Sequence, residues 1–141
     1  MFSTTCKYAI RAILYLAVHT SDKNKVGVDE IAETLSVPKH FLAKILQQLT
    51  KNNLAASSKG RYGGFYLTDK QKSSTILPII ESIDGPATLE GCVLGLPDCS
   101  NMNPCSFHHE ISKFRSQLMD TLGKETIEET AIRMKVNNFK M

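Results

Sequence analysis

The apolar positions of this 141-residue chain fall into helical stripes separated by polar turns. From Thr4 to His19, the residues Ala9, Ile10, Ala12, Ile13, Leu16 and Ala17 recur at the three- and four-residue steps of a buried helix face, and Thr4 or Thr5 can cap its start. A polar turn over 21–25 and a short extended piece at Val26 follow. Gly27 to Leu35 repeats the helical pattern, with Ile31, Ala32 and Leu35 on one side and Gly27 with Glu30 as a weakened capping box. Ser36-Val37-Pro38 breaks the chain, and Pro38 suits the start of another helix. That helix extends to about Lys51 along the stripe Phe41, Leu42, Ile45, Leu46, Leu49.

Two short extended runs, Leu54 to Ser58 and Phe65 to Thr68, then flank the turn Lys59-Gly60-Arg61-Tyr62-Gly63-Gly64. Asp69 to Ser73 reads as a linker. Ser74 or Thr75 is expected to cap a helix through Ile76, Leu77, Ile79, Ile80 and Ile83, which Asp84-Gly85-Pro86 ends. Between Asp84 and His108 the periodicity disappears, and six of the thirteen Gly and Pro residues fall there. A long helix resumes near Phe107 with Ile111, Phe114, Leu118 and Leu122 as a narrow stripe. Such a stripe suits pairing with a twin helix in a dimer, although packing onto its own domain gives the same pattern. Gly123 stops it, Thr126-Ile127-Glu128-Glu129 is a capping box opening a last helix, and Asn137 to Met141 is expected to fray. The pattern predicts a mainly α fold with a small β-hairpin. Its divisions are residues 1–83, a cysteine-rich loop over 84–108, and a C-terminal helix and segment over 109–141.

Charge sharpens this picture. The net charge is only +3, yet residues 1–70 hold ten Lys/Arg against five Asp/Glu, and Thr34 to Thr68 holds five bases and no acid. The outer face of the third helix presents Lys39, His40, Ala43, Lys44, Gln47, Gln48 and Lys51. A short helix, a tight turn and a helix with a Lys/His/Gln outer face describe a helix-turn-helix, in which Gln bonds base edges in the major groove and Lys neutralises phosphate. The hairpin that follows, with Ser58, Lys59, Gly60, Arg61 and Tyr62 at its tip, reads as the wing of a winged helix. Glycine permits close approach, and an arginine fits a narrow minor groove. Double-stranded DNA is therefore the expected partner. The longest apolar run, Ala12 to Val18, is too short to span a membrane, and Met1-Phe2-Ser3-Thr4 lacks the features of a signal peptide, so a cytoplasmic protein is expected.

The chemistry concentrates in Cys92-to-His109, CVLGLPDCSNMNPCSFHH, which holds three of the four cysteines and two of the four histidines. In a reducing compartment clustered cysteines are more often metal ligands than disulfides. Three thiolates on a flexible loop can wrap an inorganic centre, with His108, His109 or a residue of a partner subunit as fourth ligand. An iron–sulfur cluster (2Fe-2S or 4Fe-4S) and a Cys₃His zinc ion both fit the donor count, while the six- and five-residue gaps are wide for a structural zinc site. A metal-free thiol loop is the third reading. Cys6, in the first helix, reads as a small buried hydrophobe. A cysteine–histidine enzyme finds no oxyanion hole, phosphate loop or small-molecule substrate pocket in the sequence, so no catalytic residue is assigned. A DNA-binding protein without a sensor would tolerate loss of all three loop cysteines.

Along nearly its whole length the chain resembles the Rrf-type (Rrf-two) winged-helix transcription regulators. The resemblance rests on Tyr8-Ala9-Ile10-Arg11-Ala12, Ile31-Ala32, Phe41-Leu42 with Ile45-Leu46, Lys59-Gly60 followed by Gly63-Gly64-Phe65, Asp84-Gly85, and the triplet Cys92/Cys99/Cys105. It implies a homodimer whose long C-terminal helices cross through Ile111, Phe114, Leu118 and Leu122, and binding to a palindromic operator, as a repressor or an activator. It also implies an iron–sulfur cluster near the dimer interface, with Cys92, Cys99 and Cys105 as thiolate ligands and His108 as the fourth. Three departures stand out: a first cysteine gap one residue longer than the commonest pattern, Lys59 where many members carry arginine, and Pro38 in place of serine.

Overall fold

The computed structural model describes residues 1–137. In chain order the elements are α1 (Thr4–His19), α2 (Val28–Leu35), α3 (Lys39–Lys51), β1 (Ala56–Ser58), β2 (Gly64–Tyr66), α4 (Asp69–Lys72), α5 (Leu77–Asp84), α6 (Ala87–Glu90), α7 (His108–Gly123) and α8 (Ile127–Val136). The apolar stripes of α1, α2 and α3 converge on one core in which Ile13, Leu16, Ile31, Leu42, Leu46 and Leu49 are fully or almost fully buried. Each such side chain contributes roughly 1.5–3 kcal/mol by leaving water. α8 returns to this core, where Ile127 and Ala131 pack against α1. A smaller cluster joins Cys6, Ile80 and Leu89 to Met119 and Leu122 of α7.

The hairpin pairs Ala56 with Tyr66, Ser57 with Phe65 and Ser58 with Gly64 in antiparallel register. Val26 bonds Phe65 through both backbone groups, at 3.0 and 2.7 Å, so the extended piece expected there serves as a bridge under the wing. Gly64, at φ +147°, lies so close to this bridge that a Cβ would come within 2.7 Å of the Val26 carbonyl oxygen. Thr20, a buried polar residue, fastens α1 to the exit of the wing. Its hydroxyl donates to Leu16 O at 2.6 Å and accepts from Leu67 N at 3.2 Å, while its carbonyl accepts from Lys72 Nζ at 2.8 Å.

Several local expectations are corrected. Ser3, not Thr4 or Thr5, caps α1, accepting from Cys6 N at 3.0 Å. Residues 69–72 are not a linker but a helical turn, because Thr68 and Gln71 form a reciprocal capping box at 3.2 and 3.0 Å. Neither Ser74 nor Thr75 caps α5, which starts at Leu77 without a side-chain cap. Pro78 in its first turn supplies a fixed φ where a backbone N–H has no helical partner. Ser74 instead gives its carbonyl to Ile127 N at 2.7 Å, joining α8 to the domain. The aperiodic stretch after Asp84 contains α6, whose Leu89 is buried. The Gly27 start of α2 carries no side-chain cap bond, but the capping box at Thr126 and Glu129 is present. Asn137 caps α8 by donating to Arg133 O at 3.1 Å, and the rest of the stretch expected to fray lies outside the described residues.

Candidate metal centre and nucleic-acid interface

The cysteine stretch folds as a chain of tight turns. Gly95, at φ +70°, closes the first by donating to Cys92 O at 3.0 Å, a left-handed position natural to glycine. Cys99 N donates to Leu96 O at 3.3 Å, and Ser100 and Asn103 exchange backbone bonds at 3.2 and 3.1 Å. Asn103 also donates from its side chain to Asp98 O at 3.3 Å. These turns bring the sulfurs of Cys92, Cys99 and Cys105 within 4.8 Å of one another, each partly buried. Cys92 and Cys105 sulfurs are 3.8 Å apart, and Cys99 Sγ lies 3.2 Å from Nδ1 of His108, the first residue of α7.

His108 Nε2 meets Asn101 Oδ1 at 2.9 Å. A carbonyl oxygen only accepts, so Nε2 donates in this bond and Nδ1 is the nitrogen turned toward Cys99, the orientation in which it could share a metal with that thiol. The adjacent His109 ring is turned nearly perpendicular, 5.3 Å away centroid to centroid. Backbone N–H groups of Leu96 and then Leu94 favour the thiolate of Cys92 and bring its pKa down to about 7. At Cys99 a backbone N–H from Cys105 acts in the same direction, but loss of solvent and the neighbouring thiols outweigh it and raise its pKa. Three thiols this close cannot all ionise without a cation to absorb the charge, which is the chemical argument for a metal or cluster here. Cys6 behaves differently. Fully buried beside Asp84, its thiol is pushed up to about 11 by burial first and by the Asp84 charge second, as suits a core residue.

α3 buries its apolar stripe and leaves Lys39, His40, Lys44, Gln47, Gln48 and Lys51 exposed. Lys59, Gly60, Arg61 and Tyr62 are exposed at the hairpin tip, with Tyr62 at 83% and the Arg61 guanidinium over its ring; Ser58 is partly buried in β1. Gly63 is packed against the Ser58 carbonyl so closely that no side chain fits, which keeps the tip narrow. Two α3 residues are already engaged within the chain. Lys39 pairs with Asp29 at 2.7 Å on the surface, and Gln48 Nε2 donates to Ser82 O at 2.8 Å. Tyr8 and Phe41 meet edge to face at 5.9 Å, joining α1 to α3, and Arg11 donates to Leu35 O at 2.8 Å, joining α1 to α2.

The model of the Rrf2 family, described as an iron-dependent transcriptional regulator, matches residues 2–131. The chain belongs to the Rrf2 family. It is accordingly a transcriptional regulator of a DNA-binding family and not an enzyme. An Aquifex aeolicus (strain VF5) protein, provisionally named an HTH-type transcriptional regulator, is 37% identical over 131 residues, covering 92% of this chain and 90% of its own. The HTH-type transcriptional regulator IscR of Vibrio campbellii is 29% identical over 123 residues, covering 87% of this chain and 72% of its own. Among solved structures, the global cysteine regulator CymR of B. subtilis shares the fold, with a TM-score of 0.77 at 23% identity over 94% of this chain and 97% of its own. Among the described residues no helix is long and apolar enough to cross a membrane.

In this Rrf2-family chain the three thiols and His108 named from the sequence lie together, whereas Asn101, whose contact with His108 depends on a turn that the sequence pattern does not reveal, was not foreseen. Nor was Met119, which lies one step off the 111–114–118–122 stripe and packs on the Cys6 cluster. Ser82 and Asn52, joined by a 2.7 Å side-chain bond, gave no signal either.

Proposed function

We propose that this regulator binds a palindromic DNA operator as a homodimer and that an iron–sulfur cluster on Cys92, Cys99, Cys105 and His108 controls the binding. The observation that carries the reading is the convergence of three thiols with the imidazole of His108, the first residue of α7. The donors fall into two close pairs, Cys92 with Cys105 and Cys99 with His108. Four protein donors suit either a 2Fe-2S or a 4Fe-4S cluster. The iron-dependent description of the family agrees with either. When bound, such a cluster supplies a centre sensitive to oxidants, nitric oxide or iron supply.

The protein's own residues then do the switching. His108 and Cys105 hold the loop against the start of α7, so the loop's shape and the helix's placement move together. No residue of α7 is fully buried, and Phe114 is 49% exposed, with Ile111 and Leu118 partly so; a second copy covering this face accounts for the exposure. Leu122 also contacts the chain's own Cys6 cluster, so it would serve both surfaces. The α3 face Lys39, His40, Lys44, Gln47, Gln48 and Lys51 reads the major groove, and Ser58 to Tyr62 contact the flanking backbone and minor groove. Half-sites about 34–36 Å apart tolerate little relative movement of two recognition helices, so a small rotation at α7 releases one of them.

One observation favours a second reading. Two thiolates on a single tetrahedral ion with bonds of about 2.3 Å lie roughly 3.8 Å apart, as Cys92 and Cys105 do, and this fits zinc. Anaerobic purification followed by a visible spectrum and iron and acid-labile sulfide analysis separates the two. Broad visible absorption with matched iron and sulfide, lost in Cys99→Ala, is expected. A colourless protein holding one zinc would replace the cluster with a zinc-thiolate switch.

A further inference from the structure

We propose that Ser82 is the positioning residue through which the state of the cysteine loop reaches the recognition helix α3. This rests on the switch proposed above. Ser82 lies in the last turn of α5, two residues before Asp84, where the chain leaves the winged helix for the loop. Its carbonyl accepts from Gln48 Nε2 at 2.8 Å, and its hydroxyl accepts from Asn52 Nδ2 at 2.7 Å. Both donors belong to the C-terminal end of α3, one on its last turns and one at its cap. Among the described residues, no hydrogen bond or ion pair joins α3 directly to residues 85–123, so this pair is the polar route between them.

The same turn is held from the other side. Asp84 accepts from Ser3 N at 2.9 Å and from the Ser3 hydroxyl, and Ser3 is the residue that caps α1. Thr88, in α6, donates to Asp84 O at 3.1 Å. Gly85, at φ +83°, is the turn between the Ser3–Asp84 contact and the loop, in a conformation that resists other side chains. Ile80, on the same helix, packs with Leu89 of α6 and with Met119 and Leu122 of α7. Residues 80–84 therefore form a short bar that meets α3 through Ser82, the start of α1 through Asp84, and α6 and α7 through Asp84 and Ile80. A change in the loop that moves α6 or α7 displaces this bar, and Gln48 and Asn52 carry the displacement into α3. Gln48 thus has a second use besides facing DNA: its amide is committed to the backbone of α5.

Amide hydrogen exchange on the full chain tests the link without needing the operator or the native cofactor. Wild type, Gln48→Ala/Asn52→Ala and Asn52→Asp are each measured with loop thiols free and with them bridged by phenylarsine oxide, which joins two close thiols. In wild type, bridging is expected to change exchange in residues 46–53 by roughly threefold or more, as a local opening equilibrium would. The double variant should lose that response while residues 86–108 still respond. Asn52→Asp should keep it, because the Ser82 hydroxyl can turn and donate to the carboxylate. All altered side chains are exposed, and matching melting curves check that the fold is intact. An equal response at 46–53 in wild type and double variant, or none in either, overturns the proposal. Duplex affinity of wild type with the loop filled and empty is measured separately. Equal affinities would end the switch reading, whereas the exchange data alone decide the Ser82 link.

Discussion

The winged helix and the cysteine loop are built on opposite principles. In the first, Ile13, Leu16, Ile31, Leu42, Leu46 and Leu49 are sealed from water, and the fold is held by apolar burial that needs nothing else present. In the second, Val93, Leu94, Leu96 and Met102 face solvent, and a few turn hydrogen bonds hold three thiols together. A region stabilised by burial has one arrangement, whereas a region stabilised by a handful of exposed bonds can change shape when its ligand changes. The switch proposed above would need both, a fixed part to carry the DNA face and a part that yields.

The contrast can be broken most directly at Leu46. Leu46→Ala, in the sealed core, should cost about 2–5 kcal/mol and lower the melting temperature whatever the loop holds. Cys99→Ala should leave the stability of metal-free protein within about 0.5 kcal/mol of wild type. Comparable losses in the two variants, read by urea unfolding, would mean that the loop is part of the fold's support after all. Next in size is the neighbour of the site. Asn101→Leu removes the acceptor that holds His108 Nε2 and should weaken metal affinity by roughly 10–100-fold, measured by chelator competition, with the melting curve unchanged. The smallest effect belongs to the rigid part's surface. Lys44→Ala or Lys59→Ala should reduce the slope of log affinity against log salt by about one. Unchanged slopes in both would remove the basic face from the DNA interface.

Much of the first region was legible because its information is periodic. The stripes in α1, α2 and α3 and the glycine pattern of the wing are local signals, and each has a direct physical cause in helical spacing or backbone freedom. Short elements escaped. α4 and α6 are four residues each, too short to show a period, although Thr68 and Gln71 carried the capping-box signature of α4. Pro78 marked the start of α5 better than the serine and threonine before it did. In the cysteine region the donors could be named from residue type alone, but their pairing and the orientation of His108 could not. The pairing comes from the turns of the loop, and His108 is met by Asn101, seven residues away in sequence and 2.9 Å away in space.

By itself the sequence determined the family, the helical segments, the basic face and the identity of the thiols, because each is written in residue type and short-range spacing. Only the tertiary structure decided that Cys6 is sealed in a cluster with Ile80 and Leu89, that α8 returns to pack on α1, and that Ser82 joins α3 to the base of the loop. These are contacts between residues far apart in the chain, 30 positions for Asn52–Ser82 and 34 for Gln48–Ser82, and farther still where α1 meets α8. A pattern that repeats every few residues says which face is apolar but not which distant face it will meet. That choice is made by the packing of the whole chain.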